Sequence, residues 1–127
     1  MQENKAVVKL PHSYLDLLNQ IFEIEKKVSQ LKETNSIPRN INKMKEIFEN
    51  IFSTATEGEA GLSYHNPIGE PYNETRTELE AAGIAGNSAE NLFITEVIKP
   101  IIRYRKGGAN LIAQKGIVVV ESGKNNS

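Results

Sequence analysis

The chain has no cysteine and no tryptophan, and its 127 residues carry a formal net charge of only -1. Without cysteine there is no disulfide, no thiol nucleophile and no cysteine-ligated metal. The near-neutral charge argues against a broad basic surface for nucleic acid or for an anionic membrane. Aromatic residues make up 6% of the chain, which argues against an aromatic stacking platform. We therefore expect a protein that binds neither nucleic acid nor membrane.

Long apolar runs are also missing, so the sequence predicts no membrane-spanning helix. Near the start, only Ala6, Val7 and Val8 separate Lys5 from Lys9. Three residues are too few for the apolar core of a signal peptide. The expectation is a cytoplasmic protein.

Histidine is scarce, with two copies, and no phosphate-loop, dinucleotide or zinc-protease motif appears. One interpretation makes His65 a general base that works with a nearby carboxylate, that of Glu74, Glu78 or Glu80. The other makes it a loop histidine in a hydrogen-bonded turn. No spacing of carboxylates suggests a metal site. We predict a protein that is not an enzyme and needs no metal or cofactor, and the His65 enzyme is the alternative.

The strongest pattern is a stripe of apolar residues between Ser13 and Leu31. Its members are three or four residues apart, the spacing of a narrow seam between two helices. They are Tyr14, Leu17, Ile21, Ile24, Val28 and Leu31. Ser13 is the predicted N-cap, with Asp16 at the third helical position. The stripe predicts a coiled-coil dimer, and the alternative is an amphipathic helix that lies on its own domain.

A second, shorter helix is predicted from Ile41 to Phe52, with Asn40 as its cap. A helix of about three turns is marginal alone, so it must dock on the first. Two chains that each give a long and a short helix would form a dimeric four-helix bundle. This helix adds three residues to the predicted dimer interface: Ile47, Phe48 and Ile51.

From residue 61 onward the signals are those of strands and turns. Short runs at 62–64, 92–98, 101–105, 111–114 and 117–120 predict strands, most clearly 92–98 by its β-branched content, and 72–79 predicts an extended segment. Gly107 and Gly108 mark a hairpin. We predict an α+β fold whose small β-domain is mainly antiparallel. The expected divisions are an arm at 1–12, a helical dimerisation region at 13–56, the β-domain at 61–122 and a tail at 123–127.

A locally basic segment lies in this second half, with Lys99, Arg103, Arg105 and Lys106 close together. Because side chains alternate along a strand, Arg103 and Arg105 share one face and can contact one partner together. The alternative is the solvated face of an ordinary strand.

The order of elements resembles the GrpE family, the nucleotide-exchange co-chaperones of DnaK-type chaperones. Segments similar to its C-terminal motifs are 71–75 for a proline-led polar turn, 94–100 for a Gly-x-Val strand, 106–108 for a hairpin and 117–119 for the last strand. Pro100 and Ile101 stand where the family has Gly-Tyr. Residues 113–115 stand where it has Arg-Pro-Ala, and the predicted first helix is much shorter than the long helical stalk of the family.

The resemblance implies a homodimer that binds the ATPase domain of a DnaK-type chaperone. By favouring the open nucleotide cleft it would promote ADP release, and it would bind no nucleotide itself. Because the chain departs from these motifs, the resemblance implies that its contact residues differ from those of the family. It also implies a specialised chaperone-like ATPase as the partner. Exposed arginine and tyrosine suit such an interface. The partner-binding set is Tyr64, His65, Asn66, Pro67, Arg76, Lys99, Arg103, Tyr104 and Arg105. A dimeric interaction module without exchange activity is the alternative.

Overall fold

The computed structural model describes residues 7–32, 35–86 and 90–123. Two helices come first, α1 His12–Ser29 and α2 Ile37–Glu49. Seven strands follow: β1 Ala60–His65, β2 Pro71–Tyr72, β3 Leu79–Ala85, β4 Leu92–Lys99, β5 Ile101–Lys106, β6 Ala109–Gln114 and β7 Gly116–Ser122. The predicted α+β class is confirmed. Residues 1–6 of the predicted arm and 124–127 of the predicted tail lie outside the described residues.

The strands form two sheets, one in the order β1-β5-β6 and one in the order β2-β4-β7-β3. The pairing of β3 with β7 is parallel, and the other pairings are antiparallel. The mainly antiparallel β-domain is therefore confirmed. The predicted hairpin between β5 and β6 is present, and Gly107 and Gly108 both have positive φ, as its tight turn requires.

Several predicted boundaries are wrong. The α1 helix begins at His12 with Pro11 as N-cap, and α2 begins at Ile37 with Ser36 as N-cap. Neither cap residue accepts a side-chain hydrogen bond. Pro11 has no polar side-chain atom, and at α2 the amide of Ile37 donates to Asn35 Oδ1 at 2.9 Å instead. The extended segment at 72–79 is mostly turns, since β2 ends at Tyr72 and β3 begins at Leu79.

The helices and the strands share hydrophobic cores. In the first core, Phe22 of α1 packs with Leu79, Ile94 and Val118 of the strands. In the second, the helical residues Leu18, Ile21, Ile41 and Phe48 pack with the strand residues Leu62, Ile102 and Ala113. The predicted boundary near 56–61 therefore does not divide the chain into a helical part and a β-part with separate cores, since both cores contain residues from either side of it. The residues between α2 and β1 form a turn, in which Ser53 Oγ accepts from the amide of Ala60 at 2.9 Å.

The predicted seam is divided between the interior and the surface. Ile21 and Phe48 are buried inside the chain, and Tyr14 and Val28 pack partly against the same core. The exposed members are Leu17, Ile24, Leu31, Ile47 and Ile51. Leu18 and Phe22 widen the apolar stripe, and this wider face packs on the strands. The alternative of an amphipathic helix on its own domain describes α1, and the dimer stays a prediction that rests on the five exposed residues.

Candidate functional site

The register of β1 on β5 places the basic side chains on one face. Arg103 pairs with Ser63 and Arg105 pairs with Gly61, and His65 lies two residues beyond Ser63. Cross-strand partners point to the same side of a sheet. Arg103, Arg105, Ser63 and His65 therefore share a face, which we call the arginine face. The alternation of the sequence predicts this for the two arginines.

The two tyrosines of the predicted set lie on the opposite face of the two strands. Tyr104 makes an edge contact with Phe52, with ring centroids 5.9 Å apart. The hydroxyl of Tyr64 donates to Glu25 Oε1 at 2.7 Å. Burial first, and then the neighbouring Glu25 carboxylate, raise the pKa of Tyr64. The two tyrosines are therefore separated from the arginines of the predicted partner-binding set, because the ring of Tyr104 packs against Phe52 and the ring of Tyr64 packs against Phe22 of α1.

The loop after β1 is fixed to the second sheet. The amide of Gly69 donates to Ile94 O at 2.8 Å, and the amide of Ile94 donates to Glu70 O at 2.9 Å. Gly69 has φ +82°, which allows the turn. Pro67 is buried, so its side chain cannot contact a partner, whereas the side chain of Ile68 is exposed. Asn66 accepts from the amide of Ile68 at 3.2 Å and shapes the turn.

A chain of ion pairs joins this loop to the turn before β3. His65 Nε2 lies 2.5 Å from Glu70 Oε2. Arg76 Nη1 lies 3.0 Å from Glu70 Oε1, and its Nη2 lies 2.8 Å from Glu78 Oε2. Arg76 also donates from Nε to Glu78 at 3.1 Å and from Nη1 to Pro71 O at 3.0 Å. The guanidinium of Arg76 therefore pairs with groups of its own chain and holds two turns together. It was predicted to contact a partner instead.

The carboxylates in this network are held in their charged forms. Burial works against ionisation of Glu70, but hydrogen bonds from His65 and Arg76 outweigh it and lower its pKa. For Glu78, burial is likewise outweighed by the hydrogen bond from Arg76, and the charge of Arg103 lowers the pKa further. The network therefore extends from His65 through Glu70 and Arg76 to Glu78, and the charge of Arg103 acts on this last carboxylate.

Stability should fall in acid because of this network. The pKa values of Glu70 and Glu78 lie below the ordinary 4.5. Their contribution is thus complete above pH 4.5 and is lost as the pH falls through the lowered values. Arg76→Gln removes the shared guanidinium, so we expect it to cost about 2 kcal/mol at pH 7. Urea unfolding at pH 7 and pH 3 should show a smaller acid loss for the variant, and identical acid losses would refute this assignment.

Among Arg76 and the cations of the basic segment, those left for a partner on this sheet are Arg103, Arg105 and Lys106. Arg105 lies 3.7 Å from Glu59, and its side chain is 43% exposed. Lys106 lies 3.5 Å from the exposed Glu57. Both contacts are long and solvated, so they yield easily to a better partner. Lys99 lies apart, because it ends β4 in the other sheet, where it pairs with Ile117.

The alternative in which His65 acts as a general base has some support in the structure. The pair of His65 and Glu70 supplies a histidine beside a carboxylate of shifted pKa. The pair is exposed, however, and the 190 Å³ cavity beside β1 is lined by other residues: Glu49, Gly61, Leu62, Ser63 and Arg105. Sequence reasoning missed Glu70 and Ile68, although the Pro67-to-Glu70 turn around Gly69 is a signal that could have located both.

Two further observations concern the described part of the chain. No three side chains of His, Asp or Glu come together there in a way that could hold a metal ion. Neither described helix is long and apolar enough to cross a membrane.

Comparisons with known proteins add no relative to these observations. No protein-family model, no curated protein and no solved structure matches the chain.

Proposed function

We propose that this chain is a GrpE-like co-chaperone that binds the ATPase domain of a DnaK-type chaperone and promotes ADP release. It works as a homodimer and carries out no chemistry of its own. The observation that carries the proposal is the arginine face, where Arg103 and Arg105 stand together on one rigid strand pair.

The support comes from how this face is built. The β5 strand is central in its sheet, with β1 and β6 on either side. Its buried residues Ile101 and Ile102 fix the backbone beneath the arginines. A guanidinium on such a fixed backbone can pair with a carboxylate through two parallel hydrogen bonds. The face is therefore suited to an acidic protein surface, whereas a nucleotide would need a pocket.

Binding can change nucleotide affinity without catalysis. A partner that binds the open form of the ATPase domain better than the closed form shifts the equilibrium toward the open form. By linkage, ADP weakens that partner's binding by the same factor as the partner weakens ADP binding. The chain then needs a complementary surface and no catalytic group.

The test is the rate at which labelled ADP leaves DnaK-type chaperones of the host. We expect the wild-type chain to accelerate release, and Arg103→Ala with Arg105→Ala to lower that acceleration at least about tenfold, since two interface arginines commonly contribute more than 1.4 kcal/mol. Arg39→Ala with Lys43→Ala is the matched control, because it removes two exposed cations from α2. No acceleration from any such chaperone would refute the proposal.

The alternative, an interaction module without exchange activity, has its own supporting observation. The same arginine face would bind an acidic protein whether or not that protein is an ATPase. Binding to a chaperone ATPase domain that leaves ADP release unchanged would favour this alternative.

A further inference from the structure

The last strand is apolar on both of its faces. β7 contains four branched aliphatic residues in a row, which are Ile117, Val118, Val119 and Val120. Such a run is typical of a strand that is covered on both sides, whereas a strand with one side in water alternates apolar with polar residues. β7 also lies inside its sheet, between β4 and β3. The pattern therefore predicts a layer on each face of this sheet.

Only one of these two faces is covered within the described residues. Val118 and Val120 are fully buried in the same core as Phe22 of α1. Because side chains alternate along a strand, Ile117 and Val119 point to the opposite face. Both are half-buried. That opposite face is thus open to solvent.

Two side chains of β4 enlarge the apolar part of the open face. Phe93 pairs with Glu121 of β7, and cross-strand partners point to the same side of a sheet. Ile98 lies in a bulge of β4 opposite Ile117. Phe93 is 42% exposed and Ile98 is 43% exposed. We call the surface formed by Phe93, Ile98, Ile117 and Val119 the open sheet face.

Carboxylates surround these apolar side chains. The cross-strand partners of Ile117, Val119 and Phe93 are, in that order, Glu80, Glu96 and Glu121. All three carboxylates are exposed, and none has an ion pair within the described residues. The three strands β3, β4 and β7 carry one cation, Lys99. The open sheet face is therefore apolar in its middle and negatively charged at its borders.

An amphipathic helix fits both the shape and the charge of this face. Helices on both sides of a sheet are one of the stable layer arrangements of proteins, and α1 already covers the inner side through Phe22. Gly83, the partner of Val119 on β3, has no atom within 4 Å of the position of a Cβ. The face is thus low on the β3 side and bounded by Phe93 on the β4 side. This shape leaves a shelf for the apolar stripe of a helix.

We propose that the open sheet face binds an amphipathic helix of a partner protein, whose polar side carries lysine or arginine. The apolar stripe of that helix covers Phe93, Val119 and Ile117, and its cations pair with the three carboxylates. A helix with acidic residues is rejected, because like charges across an interface repel. The face lies on a different sheet from the arginine face, so the proposal is independent of the exchange activity.

Titration with a designed helical peptide tests the proposal. The probe has leucine on one side and lysine on the other, and its counterpart has glutamate in place of every lysine. We expect the lysine peptide to bind the wild-type chain with a Kd below about 1 mM, at least about tenfold more tightly than the glutamate peptide. The NMR signals of backbone amides in β3, β4 and β7 should shift. No binding of the lysine peptide, or shifts confined to the helices or the arginine face, would overturn the proposal.

An apolar and a charge substitution show which side chains carry the binding. We expect Phe93→Ser, and separately Glu96→Gln with Glu121→Gln, to weaken binding of the lysine peptide at least about fivefold. Circular dichroism checks that the variants fold. Ile98→Ser tests the same apolar surface and replaces Phe93→Ser if that variant does not fold.

Matched controls lie elsewhere on the chain. Leu111→Ser removes a side chain that is 40% exposed on β6, in the other sheet. Asp16→Asn with Glu46→Gln removes two exposed carboxylates from the helices. We expect both controls to bind the lysine peptide as the wild-type chain does. Equal losses in the controls and in the variants of the open sheet face would overturn the proposal.

Light scattering shows whether a second copy of the chain occupies the face instead. We expect Phe93→Ser to leave the mass of the protein in solution unchanged. A dimer of the wild-type chain that Phe93→Ser separates into monomers would mean that a second copy covers the open sheet face, and it would overturn the proposal.

Discussion

Gly61→Ala should destabilise the protein by about 3 kcal/mol, the upper part of the range for overpacking. A Cβ at this position would lie far closer than 3.0 Å to the backbone carbonyl oxygens of Glu49 and Phe48. These atoms belong to the end of α2, and a backbone cannot move aside as a flexible side chain can. The substitution therefore pushes α2 away from β1. Urea unfolding followed by circular dichroism measures the loss.

Gly83→Ala is the matched control for this prediction. Gly83 is also in a strand, has no positive φ, and has no atom within 4 Å of the position of the added methyl group. We expect its stability to change by about 0.5 kcal/mol or less. Equal effects of the two substitutions would mean that α2 does not approach β1 as closely as the structure has it.

Phe22→Ala should have an effect at least as large, a loss of about 3–5 kcal/mol. Phe22 is 1% exposed and packs in the core of the second sheet. Its ring also makes an edge contact with Tyr64 of the first sheet, with centroids 5.7 Å apart. Because the side chain joins a helix to both sheets, the helical and strand signals should fall together in one transition at a lower urea concentration.

Leu17→Ala, on the same helix, is the control for Phe22→Ala. Its side chain is 56% exposed, so at protein concentrations where the chain is monomeric we expect a loss of about 0.5 kcal/mol or less. If Phe22→Ala unfolded only the helices and left the strand transition in place, α1 would be the separate dimerisation element that the heptad stripe predicts.

The sequence predicts the elements better than their packing. Period-3.6 spacing located both helices, and β-branched runs located β4, β5 and β7, because these patterns record local burial. The buried side of α1 was not predictable in this way. Leu18 and Phe22 lie beside the heptad stripe, and only the strands that cover them show that they are the centre of the buried face.

The candidate site likewise has features that the sequence predicts and features that it does not. The shared face of Arg103 and Arg105 follows from alternation along one strand. The ion pairs of Arg76 with Glu70 and Glu78 depend on two turns whose geometry no periodicity specifies. The parallel pairing of β3 with β7 joins segments more than thirty residues apart, and its direction is set by the path of the chain between them.

The acceleration of ADP release from a DnaK-type chaperone tests the central claim most directly. The account predicts faster release with the wild-type chain, and an at least about tenfold smaller acceleration with Arg103→Ala and Arg105→Ala while the fold remains intact. Unchanged release with the wild-type chain, or equal acceleration by the wild-type and the double-variant chain, would contradict it.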